Sequence, residues 1–183
     1  IVSSVAAPAD GKVENVLDLA CTIGQTTTAL KERFPDATVT GLDIAEPMLR
    51  YAHMRANELG SDVTFVQRLA EDNGFADESM DLVVANILFH EVPADVQPRI
   101  IEEAYRVLRP GSVFDITDFK LATELNPYRR FIRWADHVYN TERWSEEFVT
   151  SDFLGNLRRA GFEVSVEAFP TPPPAPYTAV KPA

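Results

Sequence analysis

Cysteine is almost missing from this 183-residue chain: Cys21 stands alone, which excludes an intrachain disulfide and any C-x-x-C motif. Histidine is scarce too, three residues without H-x-x-x-H spacing, so no metal site is expected. No run of about 18 apolar residues and no charged-then-apolar leader occurs, which excludes a membrane-spanning helix within these residues and makes a cytoplasmic location the plain expectation. The chain opens on Ile1 rather than methionine, and its natural start is left open. Positive charge is also short. Against 28 acidic residues stand 17 lysines and arginines, a net charge of −11 with no outstanding basic cluster, so phosphate backbones are repelled and nucleic acid is not an expected partner. What the chain does have is 45% apolar residues, enough for the core of one compact domain over 1–183, with no internal repeat and no dividing linker.

Short β-branched runs alternate with longer stretches of helical period, the signature of βαβ units. Strands are expected at Asn15 to Ala20, Thr38 to Asp43, Val63 to Gln67, Asp81 to Ala85 and Ser112 to Thr117. Between them lie helices of about ten residues after Gly24, from about Pro47 to Leu59, and from Ala94 or Pro98 to Leu108, with Pro110 and Gly111 ending the last. The segment 126–150 is rich in aromatics and arginine and reads as a lid or acceptor-side insertion. A helix is expected from Ser151 to Ala160 and a strand from Phe162 to Phe169. The tail 170–183 holds six prolines, which argue against a regular central strand up to Pro176 and leave Tyr177 to Val180 for an edge. The fold class is α/β, Rossmann-like and doubly wound.

In an open parallel sheet ligands bind beyond the carboxyl ends of the strands. After the first strand the chain reads LDLACTIG: an acid, small residues, then Gly24 opening a helix whose first N–H groups are unpaired. Asp43, 19 residues beyond Gly24, ends the second strand at the spacing of an acid that grips ribose hydroxyls. The pair points to an adenosine ligand, although an ordinary strand-end turn accounts for either acid alone. A nicotinamide site is disfavoured, because Ala20, Thr22 and Gly24 supply one glycine of the three it needs.

LDLACTIG, VTGLDIAEPML, FVQRLAEDNGFADESMDLVVAN with ILFHEVP, and RVLRPG resemble, in order and spacing, the successive motifs of class I S-adenosylmethionine-dependent methyltransferases. The nearest likeness is to the small-molecule branch that includes the ubiquinone and menaquinone biosynthesis C-methyltransferases, over roughly Val13 to Gly161. The resemblance implies S-adenosylmethionine as cofactor and a mostly parallel seven-stranded sheet with helices on both faces. It also implies a role for each matched residue. Asp18 holds the methionine amino group while Ala20, Cys21, Thr22 and Gly24 pass beneath the methionine part. Asp43 grips the ribose; Ile44 and Met48 flank the adenine; Ala70 and Glu71 meet its edge; Asn86 offers its backbone carbonyl to the amino group. This chain departs from the pattern at Ala20 and Thr22, where glycine is usual, and at Leu69, where a carboxylate is usual. Ala20 fits if its φ stays negative, a Thr22 at positive φ is strained, and Glu71 is the candidate replacement for the carboxylate absent at Leu69.

Methyl transfer from a sulfonium asks the protein mainly to hold two atoms at near-attack distance and exclude water, effects of about 7–11 kcal/mol. A base is needed only where the acceptor must lose a proton. His90, four residues after Asn86, is expected at the cleft mouth as that base, or else packs beneath the loop; Glu91 either orients it or is solvated. Within the insertion, Tyr128, Phe131, Trp134, His137, Tyr139 and Trp144 divide between core, as the spacing of Phe131, Trp134 and Val138 suggests, and a wall for an apolar acceptor. His53 reads as surface, and Glu102 with Arg106 as an exposed pair. The expected activity is methylation of a small, apolar or aromatic molecule. The alternatives are a cofactor-binding protein of the same fold without turnover and a protein methyltransferase.

Overall fold

The computed structural model describes residues 5–121, 126–140, 143–166 and 175–183. The β-branched and leucine runs form β1 (Asn15–Leu19), β2 (Thr38–Asp43), β3 (Thr64–Gln67), β4 (Met80–Asn86) and β5 (Leu108–Asp118). Between them lie α1 (Gln25–Arg33), α2 (Glu46–Leu59) and α3 (Gln97–Val107). After β5 come α4 (Pro127–Asn140), α5 (Ser145–Thr150), α6 (Phe153–Arg159), β6 (Glu163–Val166) and β7 (Ala175–Val180). The seven strands lie in the order β3-β2-β1-β4-β5-β7-β6. β1 to β5 are parallel, and β7 is antiparallel to both its neighbours. The Rossmann-like expectation therefore holds. Strand order reverses between β1 and β4, so a crevice forms beyond the carboxyl ends of these two strands.

Strand alternation builds two core layers. Leu17, Leu19, Val83, Ala85, Phe114 and Ile116 join one buried cluster, in which Ile100, Ile101, Ala104 and Val107 cover the sheet from α3. Their neighbours Val16, Leu82, Val84 and Val113 join a second, with Leu30 of α1. Burial on both faces is why the central strands read as nearly continuous apolar runs.

The structure differs from the sequence reading at five places. Leu108 turns extended (φ −74°, ψ 139°), so strand follows helix at once; Pro110 and Gly111 fall inside β5, where the β4 register shifts between Met80 and Leu82. β7 is an internal strand rather than an edge and includes Pro176, which pairs with Thr117. Among the described residues the pairing of β6 with β7 runs from Glu163↔Val180 to Val166↔Tyr177. Arg106 pairs with Glu103 at 2.7 Å and with Asp77 at 2.5 Å, and donates to the Phe75 carbonyl, instead of pairing with Glu102; its side chain turns toward the segment ahead of β4. In α4 the residues read as core, Phe131, Trp134 and Val138, are all exposed. The side chain of His137 and residues 167–174 lie outside the described residues. Ser151, extended at ψ 160°, ends α5, and Asp152 caps α6 by accepting the Gly155 N–H, so the helix expected from Ser151 starts at Phe153.

Candidate functional site

Past Leu19 the chain leaves the sheet through a tight turn. Ala20 (φ 54°), Thr22 (φ 46°) and Gly24 (φ 72°) all take left-handed backbone, so Ala20 does not keep the negative φ expected of it. That conformation costs a non-glycine residue about 1–2 kcal/mol. Hydrogen bonds hold the turn against this cost: the Cys21 N–H donates to the Leu42 carbonyl at 2.9 Å and the Thr22 N–H to Asp43 Oδ2 at 2.8 Å. Asp43 Oδ1 accepts the Ala45 N–H at 2.8 Å. One carboxylate thus fixes the turns after both β1 and β2, and each oxygen keeps a lone pair for a further donor. Gly24 serves packing, because a Cβ there would sit 2.7 Å from the Phe65 ring and 3.1 Å from Ala52.

Asp18 lies beside Gly41 in the ladder, 1% exposed. Thr27 Oγ1 donates to its Oδ2 at 2.6 Å, and no cationic side chain pairs with it among the described residues. Burial pushes its carboxyl up to about 7, with the Thr27 bond opposing and the Asp43 charge adding to the rise. The same burial raises the Cys21 thiol above its ordinary range, so it is not a thiolate nucleophile.

Two cavities meet at Ala20. One of about 430 Å³ is lined by Asp18, Cys21, Thr22 and Asn86, with Thr26, Ile87 and Glu91. The other, about 220 Å³, is lined by Asp43, Ile44, Leu69, Ala70 and Glu71 against an apolar wall of Leu88, Val92, Val96 and Ile100. Asn86 lines the first cavity, and its Oδ1 is buried without a hydrogen-bond partner among the described residues. Ile87 beside it is held at φ 60°, a genuine outlier for a β-branched residue, while its N–H donates to the Thr117 carbonyl at 2.7 Å. Glu71 faces Arg99 at 3.6 Å. Of the residues picked out from the sequence, Gly24 and Met48 line neither cavity.

His90 also lies outside both linings. It is 3% exposed beneath the loop after β4, stacked on Phe119 with ring centroids 3.9 Å apart. Its Nδ1 is 2.7 Å from Asp118 Oδ1 and its Nε2 is 3.3 Å from Glu91 Oε1. Asp118 further accepts the N–H groups of Phe89 and Phe119, each at 2.7 Å. Glu91, exposed, carries this chain of contacts to the cavity wall. The sequence reading passed over Thr27, Ile87 and Asp118. Asp118 ends a strand, the same signal that marked Asp18 and Asp43, whereas nothing in the sequence marks the backbone of Ile87.

The methyltransferase domain family matches residues 16–111. An uncharacterized methyltransferase of Synechocystis is 40% identical over 158 residues, spanning 82% of this chain and 68% of its own. A demethylmenaquinone methyltransferase of Thermus thermophilus is 33% identical over 165 residues, 87% of this chain and 69% of its own. Among solved structures, the YcgJ protein of Bacillus subtilis superposes with a TM-score of 0.75 at 16% identity, covering 100% of this chain and 96% of that one.

Proposed function

This chain belongs to the methyltransferase domain family, and from that membership we propose how its two cavities are used by an S-adenosylmethionine-dependent methyltransferase. When bound, the cofactor supplies a methyl group on a sulfonium, which departs as a neutral thioether. In this reading the larger cavity takes the methionine part. Asp18, buried without a cation, receives the amino group, and the unpartnered Asn86 Oδ1 is a second acceptor for it. Ala20 is the shared wall, where a side chain of one carbon lets the ligand pass from one cavity to the other. Asp43 uses its remaining lone pairs on the ribose hydroxyls. Ile44, Ala70 and Glu71 then frame the base, with the apolar wall of Leu88 to Ile100 beneath it. Met48, nearly half exposed and outside both linings, is left with at most a covering role.

The observation that carries this reading is the placement of two strand-end carboxylates on two cavities that join at one residue. The test is calorimetric titration with S-adenosylhomocysteine. Asp18→Asn and Asp43→Asn are expected each to weaken binding by at least about tenfold, the worth of a hydrogen bond to a charged group. Unchanged affinity in both variants would discard the assignment.

The acceptor in this proposal is a small apolar or aromatic molecule, in line with the Thermus relative named for demethylmenaquinone. The protein's own work is to hold that acceptor against the larger cavity and shed water from it. Where the acceptor must lose a proton, Glu91 is the group at the wall. His90 acts behind it as a positioning residue, held by Asp118 with its Nε2 toward Glu91.

A further inference from the structure

α4 carries large apolar side chains that its packing leaves uncovered. Tyr128, Phe131, Ile132, Trp134, Val138 and Tyr139 are each between 42% and 81% exposed. At roughly 100° per residue these six fall within an arc of about 160° on one side of the helix, a stripe as wide as those that ordinarily face a core. Here the stripe faces solvent. The Phe131 and Trp134 rings pack on each other, 5.8 Å apart, instead of on the sheet. None of these residues lines the two cavities. The remaining arc of the sequence holds Arg129, Arg130 and Arg133 against a single acid, Asp136, in a chain whose net charge is −11.

We propose that α4 is an interfacial helix that lays its aromatic stripe into the surface of an anionic lipid bilayer, docking the enzyme there without crossing it. Among the described residues no helix is long and apolar enough to span a membrane. A stripe of Trp, Tyr, Phe and Ile backed by arginines is the composition that rests at the headgroup level. The polar arc behind the stripe holds three arginines to one acid in the sequence, the composition of helices that lie on anionic lipid, and contact with a second copy of the chain is the competing outcome of the test below. The inference stands on α4 alone and does not need the cofactor assignment; it adds where an apolar acceptor would be met.

The experiment is cosedimentation of the whole chain, without cofactor, with vesicles of phosphatidylcholine alone and with phosphatidylglycerol added, alongside sedimentation equilibrium of the protein by itself. Binding to the anionic vesicles is expected, falling by at least about tenfold in Phe131→Ser/Trp134→Ser, and weakened in Arg130→Glu and at high salt. All three positions are exposed, so circular dichroism should show the variants folded as the parent. Absence of binding to anionic vesicles overturns the proposal, as does equal binding to the neutral ones. A dimer that the double substitution dissociates, with no vesicle binding, also overturns it and makes the stripe a self-contact. Retained vesicle binding with lost S-adenosylhomocysteine affinity in the Asp18 and Asp43 variants would keep the two proposals separate.

Discussion

Asp18 sits where a carboxylate is least comfortable: buried, beside the like charge of Asp43, and steadied only by Thr27. Its folded-state value near 7 lies above the ordinary 3.8, so the folded protein holds a proton that the unfolded chain releases between about pH 4 and 7. Stability of the cofactor-free protein should therefore fall as pH rises through that window and level off above it. Asp18→Asn should remove the slope and leave the empty protein more stable than the parent by a few kcal/mol at about pH 8, read from urea unfolding at a series of pH values. The same proton must leave before the carboxylate can pair with an ammonium. S-adenosylhomocysteine affinity is then expected to drop by up to about tenfold per pH unit below 7 in the parent and to be flat in Asp18→Asn. A parent titration without slope would show that the site does not bind through this group.

At the scale of elements, α1, β2 and the turn after β1 are locked by what is missing from Gly41. A Cβ on Gly41 would lie 2.8 Å from Cys21 Sγ, Phe65 Cδ1 and Thr27 Oγ1 at once. Two of these three are part of the site: Cys21 lines the cavity, and Thr27 holds Asp18. Gly41→Ala should destabilise the fold by about 1–3 kcal/mol, as overpacking does, and weaken cofactor binding although residue 41 touches neither cavity. Thermal unfolding and calorimetry on one preparation check both, and an intact melting temperature would mean that the three neighbours can yield. Residue spacing announces an element of this kind, since Gly24, Asp43 and the apolar stripes were readable in order. It does not announce crowding between elements distant in sequence, which is why the room that Gly24 leaves for Phe65 and Ala52 was not legible there.

For the molecule as a whole, β7 decides how the sheet ends. It lies between β5 and β6 and pairs with both, and buried Ala175, Tyr177 and Ala179 join the main core cluster. Removing residues 175–183 would expose a β5 edge that runs from Val113 to Asp118 and leave β6 without its partner. The shortened chain is expected to aggregate or to lose cooperative unfolding, as size-exclusion chromatography and a urea titration would reveal; a monodisperse product with an unchanged midpoint would contradict that. The βαβ alternation, the two strand-end aspartates and the ligand class were legible in the amino-acid order, because periodicity and turn chemistry are local and each strand end carries its own signature. Tertiary packing alone settled that a proline-bearing tail becomes an internal strand, that His90 is buried against Asp118 rather than open at the cleft, and that the α4 stripe faces solvent. Each of those depends on which neighbour arrives from elsewhere in the chain to fill a lattice position, accept a proton or cover an apolar face, and no window of adjacent residues contains that neighbour.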